Sequence, residues 1–305
     1  MVFESRPHVQ YLSSCLPELF PPNMCRSICR HAFTTPKHYY ITPGMKTLHM
    51  VVFTLVLLAA SLFVPLQAPS QGFLLQSRAA HDETPSGLPL RTQWGQREVF
   101  ARFSPGNFRL GCWSTAIAQI LYYHRLVPSG SVEYTTSTGY HIDEDFDATT
   151  FDWSRFVNVI NDNTPETSID EVTRYVYYVA TVIQKDYDTG SYVLRHAERA
   201  EAVSQHYECT ATVYKSSTHS MEQLKNIIIN EINSNRPLMM HLRDLDKDLY
   251  HAVVVDGYEN RGGIFFVHIN MGHQGDEDGW YDFDAPILDY DDPSYKKFMV
   301  IVPAS

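Results

Sequence analysis

Cysteine is scarce in this chain of 305 residues: five in all, at Cys15, Cys25, Cys29, Cys112 and Cys209. Two of them fall in the stretch that reads as a globular domain, too few for the disulfide framework of a small secreted scaffold. Pairing them would consume Cys112, so Cys209 is expected to be a free, buried cysteine. Basic charge is also in short supply. Lys and Arg number 24 against 35 Asp and Glu, a net charge of −11, and no basic run occurs, which argues against nucleic acid as a partner. There is no Asn-x-Ser/Thr acceptor, since Asn163-Thr164-Pro165 lacks the hydroxyl at its third position, so N-glycosylation is not implied. From residue 71 onward no His-x-x-x-His or Cys-x-x-Cys spacing is found. Asp276-Glu277-Asp278-Gly279 does not match the ligand spacing of an EF-hand loop. Neither a metal nor another cofactor is expected.

Long apolar runs are limited to one. Residues 50–64 follow Met45-Lys46-Thr47-Leu48-His49, and Ala68-Pro69-Ser70 supplies small residues beyond them. A charged start, a short apolar core and a small-residue end make a secretory signal peptide. Its position is unusual, with 44 residues ahead of it that lack periodicity. Residues 1–44 read as an over-extended start, 45–70 as the signal, 71–90 as a linker or short leader, and 91–305 as the folded domain. An uncleaved signal anchor is the alternative, although Pro65 interrupts the end of the run. The expected protein is secreted, without stable membrane association once the signal is cleaved, and monomeric.

What is present is a core. Hydrophobic residues make up 44% and aromatic residues 13% of the chain, as an ordered globular domain requires. The stretch from Gly111-Cys112 onward places Trp113, Ala116, Ile117, Ile120 and Leu121 at helical spacing, so Cys112 falls in the first turn of a helix. The free N–H groups and partial positive charge of a helix start favour a thiolate. Cys112 reads equally well as a buried structural cysteine. His124 at the other end reads as a helix-dipole partner. Val132 to Tyr140 suggests a short strand or hairpin, 141–150 a solvated acidic segment, and 151–156 an aromatic plug. Helices are predicted from Ser168, as N-cap, to about Ile183, over 197–203, and over 220–233. Strands follow at 237–242, 251–258, 264–270, 279–283 and 298–302. Helices first and a mostly antiparallel sheet after them make an α+β chain.

The second and third of these strands are joined by a turn-rich loop over 259–263. Centring it on Asn260 and Arg261 puts His251 opposite Asn270 at the open end of the hairpin. An Asn beside a His can fix its ring, and such a His beside a thiol is a catalytic unit. The same residues also read as a satisfied histidine at a strand start and a turn asparagine.

Gly111-Cys112, Thr115-Ala116, Ala118-Gln119-Ile120 and Tyr123-His124, then Phe151-Asp152-Trp153, then the run from His251-Ala252-Val253 to Gly257-Tyr258, then Asn270-Met271-Gly272 with Gly279-Trp280-Tyr281 together resemble the streptopain family of cysteine peptidases. The resemblance extends over 94–303. It implies a papain-like fold, with a helical N-terminal half carrying the nucleophile on a helix start, packed against a β-sheet half. It further implies Cys112 as nucleophile, His251 as general base, Asn270 as the residue that orients the histidine, and Gln96, within Trp94-Gly95-Gln96, as a donor to the oxyanion beside the Cys112 N–H. The function implied is a secreted endopeptidase that cleaves peptide bonds of protein or peptide substrates through an acyl-thioester, without cofactor or metal. Two departures stand out. Met271 replaces a tryptophan that shields the histidine, and residues 243–250 replace a glycine-rich loop with bulkier, charged residues. They motivate the alternative of a degenerate relative that binds peptides or proteins without cleaving them, and leave room for a thiol acyltransferase on the same scaffold.

Overall fold

The computed structural model describes residue 87 and residues 90–304; the expected signal and upstream residues lie outside them. The first helix, α1 (Cys112–Tyr123), is almost wholly buried, as its run of Trp, Ala, Ile and Leu dictates. A hairpin follows, β1 (Ser131–Thr135) and β2 (His141–Asp145). Then come α2 (Glu166–Val182), α3 (His196–His206), β3 (Cys209–Lys215) and α4 (Met221–Asn233), and last β4 (Leu238–Asp244), β5 (Leu249–Arg261), β6 (Ile264–Asn270), β7 (Gly279–Asp282) and β8 (Lys297–Pro303). The long strands and β3 form a six-stranded antiparallel sheet in the order β3-β8-β4-β5-β6-β7.

Strand periodicity places alternate residues on opposite faces of this sheet. Met239, Ala252, Val254, Met299 and Ile301 join the core under α1, α2 and α3. Leu238, Met240, Val253, Val255 and Val300 join a second core with Leu224, Ile228 and Ile232 of α4. The helix that begins at Cys112 and the strand β5 that carries His251 therefore pack against each other directly. The segment 151–156 does form a plug: Phe156 stacks on Tyr122 at 5.0 Å, and Trp94 lies 4.9 Å from Tyr122. Trp94 is fully buried and its indole N–H donates to the Val157 carbonyl. Truncating such a ring to alanine costs about 3–5 kcal/mol, so the backbone that carries Gln96 is firmly seated.

Four expectations are corrected. The acidic segment after Tyr140 is not merely solvated, because half of it is β2, whose Ile142 packs inward. The helix α2 begins two residues earlier than its predicted cap, with Pro165 at the cap position. Cys209 is free but half-buried, on β3, a strand with no contiguous apolar run to announce it. The register of the β5–β6 hairpin differs most. Gly262 and Gly263 both adopt left-handed φ (59° and 83°) and form a two-residue turn between the paired Arg261 and Ile264. The turn centre moves toward the C-terminus, which shifts the pairing, and a bulge between Val255 and Gly257 takes one residue of that shift back. Asn270 therefore pairs with Val254, and His251 lies beyond the end of β6.

Candidate active site

A cleft of ≈ 820 Å³ opens beside the start of α1, and Gln96, Cys112 and His251 all line it. Three chain segments bring them there. Gln96 sits where the backbone is tied to the turn that carries Cys112: its carbonyl accepts from the Leu110 N–H at 2.9 Å, and the neighbouring Gly95 carbonyl accepts from the Thr115 hydroxyl at 3.1 Å. Cys112 is the first residue of α1. Gly111 before it has φ 88°, and a Cβ there would lie 2.5 Å from the Tyr192 hydroxyl, so only glycine satisfies both the backbone and the space. The Tyr192 hydroxyl in turn accepts from the Ser114 N–H. The loop that presents Tyr192 is wound around a fully buried ammonium. Lys185 Nζ donates to the carbonyls of Asp186, Thr189 and Ser191 at 2.6, 3.0 and 2.8 Å. Burial, with Arg109 nearby, pushes the Lys185 pKa down to about 8.

His251 lies on β5 opposite Leu242 of β4 and is 4% exposed. Its Nε2 is 2.8 Å from the Met271 carbonyl. A carbonyl only accepts, so Nε2 carries the hydrogen and Nδ1 is the lone-pair nitrogen of the neutral ring. The ring lies between His273, 4.7 Å away and stacked, and Tyr290, 5.6 Å away. Those two rings shield the imidazole. The Met271 side chain points away and is fully buried in the second core.

Asn270 does not contact His251, contrary to expectation, because the register shift carries it past the histidine. Its side chain is a buried junction instead. Oδ1 accepts from Gln119 Nε2 and from the Gly272 N–H, both at 3.0 Å, while Nδ2 donates to the Thr92 carbonyl at 2.6 Å. Thr92 Oγ1 closes the triangle by donating to Gln119 Oε1 at 2.7 Å. Sequence reasoning missed Thr92, Gln119, Lys185 and Tyr192. A glutamine in the middle of an otherwise apolar helix face was the available signal for Gln119. The segment expected as a bulky loop before the histidine is half strand: β4 and β5 meet at a turn over 245–248, where buried Asp244 accepts from the Lys247 backbone and side chain.

The electrostatics lean toward a neutral pair. Burial raises the Cys112 pKa, against the Ala252 N–H, the charge of Arg109 and the amides of the helix start. Burial lowers the His251 pKa, and Arg109 adds to that, while the Met271 carbonyl and Glu277 oppose it. A thiol and an imidazole with a free Nδ1 thus line one cleft, the residue types that proton transfer and nucleophilic attack require. His124 at the end of α1 is pushed down by burial and by Arg236, so it does not supply the charge expected of a dipole partner.

Three helices packed on one face of an antiparallel sheet and a fourth on the other, with the cleft at a helix start facing a strand, make a papain-like cysteine peptidase fold. The chain superposes on active wild-type interpain A cysteine protease of Prevotella intermedia with a TM-score of 0.61 at 24% identity, over 72% of this chain and 95% of that one. A prointerpain A fragment of the same organism gives 0.60 at 24% identity, over 72% of each chain. Residues 94–281 match the Peptidase C10 family, and the chain belongs to it. Streptopain of Streptococcus pyogenes serotype M28 is 24% identical over 186 residues, 57% of this chain and 46% of that protein. The chain thus spans just under half the length of the curated relatives it matches.

Proposed function

We propose that this protein is a secreted cysteine endopeptidase that cleaves peptide bonds through an acyl-thioester on Cys112. The observation that carries the reading is the meeting of Gln96, Cys112 and His251 on one cleft, with His251 held through Nε2 so that Nδ1 stays free. His251 Nδ1 takes the thiol proton as Cys112 Sγ bonds to the substrate carbonyl carbon. The resulting oxyanion is held by the Gln96 side-chain amide and the Cys112 N–H. Collapse breaks the C–N bond, and Nδ1 returns the proton to the leaving amine. Water, deprotonated by Nδ1, then attacks the thioester, and the acid leaves as the thiol is restored. The replacement at Met271 leaves this scheme intact, since the histidine uses the backbone carbonyl there. Secretion rests on the pattern of residues 45–70; among the described residues no helix is long and apolar enough to cross a membrane.

The test is thiol-directed labelling with an epoxide inhibitor, together with casein digestion. The wild type is expected to label at Cys112 and digest casein, and Cys112→Ala to do neither. A wild type that neither labels nor digests overturns the reading. Sequencing the N-terminus of the protein recovered from the medium tests the signal.

A further inference from the structure

The cleft carries charge of the wrong sign for this protein. The chain has a net charge of −11, yet among the described residues five cations, Arg97, Arg109, Arg199, Arg243 and Lys297, line the cleft against one carboxylate, Glu98. Arg97 and Arg109 are ordinary surface charges. Arg199 is not. It is 6% exposed, on α3, with its guanidinium carbon 4.1 Å from the Trp113 ring and 4.6 Å from the Tyr192 ring. Its Nε and Nη1 are buried and have no hydrogen-bond partner. No carboxylate of the described residues pairs with it. The adjacent Glu198 is turned back to accept from the Arg195 N–H at 2.6 Å.

The rest of this wall offers no counter-charge. Arg243 is neutralised by Asp292 at 2.6 Å. The pKa of Lys297 is pushed down to about 8 by burial and by Lys215, Arg199 and Arg243, all cations. His196 and His241 lie against Trp113, with ring centroids 4.9 and 5.2 Å away. Burial first, then their neighbours, push them down to about 3 and about 2, so both are neutral and add neither sign. An arginine sandwiched between two rings recovers part of its lost hydration through cation–π contact. Its unpaired N–H groups still carry a desolvation cost that a carboxylate would offset. Trp113 directly follows the proposed nucleophile, so the unpaired guanidinium of Arg199 lies against the residue next to it.

We propose that the pocket formed by Trp113, Tyr192 and Arg199, flanked by Lys297, is a specificity subsite for the carboxylate side chain of a substrate Glu or Asp near the cleaved bond. This rests on the peptidase reading and names the substrate class. The substrate brings the anion that the fold withholds from Arg199, so the guanidinium is paired only in the complex. Acidic segments of partner proteins are therefore selected over neutral ones of equal size, and the preference weakens with salt.

The experiment uses the full chain and a positional set of peptides carrying Glu, Gln or Leu at one site at a time. Binding to Cys112→Ala is read by fluorescence anisotropy and cleavage by the wild type as kcat/KM. Glu is expected to exceed Gln by about tenfold at one position, since desolvated charge pairs at interfaces couple by more than 1 kcal/mol. Arg199→Met should erase that ratio, and Lys297→Met should reduce it. Should Arg199→Met fail to fold, Lys297→Met and the salt dependence of the ratio decide. Glu and Gln within twofold of each other at every position, or a preference that survives both substitutions, overturns the subsite. Acidic binding by Cys112→Ala with no cleavage by the wild type upholds the subsite and sinks the peptidase reading.

Discussion

Asn270 and His251 do not touch, yet a single peptide unit joins them. The Gly272 N–H of that unit donates to Asn270 Oδ1, and its other end, the Met271 carbonyl, accepts from His251 Nε2. A hydrogen bond at one end of an amide polarises the other. Asn270 is thus linked to the imidazole through the backbone, and on the proposed function that link makes it a positioning residue.

Replacing Asn270 should lower kcat more than it raises KM. Asn270→Ala frees the peptide unit and leaves the Thr92 carbonyl and Gln119 Nε2 without their partner, at about 1–3 kcal/mol for each buried group. The loss in kcat should stay within the roughly 10²–10⁴-fold that a general base contributes. Because the Met271 carbonyl raises the His251 pKa, a displaced carbonyl should move the acid limb of the pH–rate profile downward. A variant that loses stability with an unchanged pH profile would leave Asn270 a merely structural residue.

The acid limb itself should fall below the ordinary histidine value of 6.5, since burial lowers the His251 pKa. The imidazole then stays neutral, and able to accept the thiol proton, as the pH drops through that value. Glu277 raises this pKa and Arg109 lowers it. Glu277→Gln should therefore shift the limb further down and Arg109→Gln should shift it up. Shifts of the same sign in the two variants, measured as kcat/KM across pH, would contradict the assignment of this limb to His251.

Gly111→Ala should cost at least about 1–2 kcal/mol, because alanine must adopt a positive φ and its methyl meets the Tyr192 hydroxyl. Tyr192→Phe in the same chain should restore part of that loss by removing the hydroxyl, with the φ penalty remaining. Thermal denaturation of the two single variants and the double variant measures the coupling; additive losses would place the clash elsewhere.

Much of the fold was legible because its signals are side chains. The apolar spacing behind Cys112 is α1, and Ser220 caps α4 through a reciprocal pair with Gln223. The family motifs named Cys112, His251 and Gln96, and all three line one cleft. What stayed hidden is written in the backbone. The partner of His251 is a carbonyl, and any residue at 271 supplies one. The cradle of Lys185 is three carbonyls. The hairpin register depends on two glycines whose left-handed φ values outweigh the turn-forming residues ahead of them. The strand β3 is half-exposed along its length and has no period strong enough to read.

The triangle of Thr92, Gln119 and Asn270 has a consequence for what can be digested. It fastens the segment leading to Gln96, the helix that begins at Cys112 and the turn that bonds His251 at one buried point, so widening the cleft means breaking several buried hydrogen bonds together. On the proposed function, a cleft fastened in this way leaves the adaptation to the substrate, which should release an extended segment before Cys112 reaches it. Susceptibility among target proteins should then follow the free energy of their local unfolding, with tightly folded acidic proteins surviving where loose ones are cut.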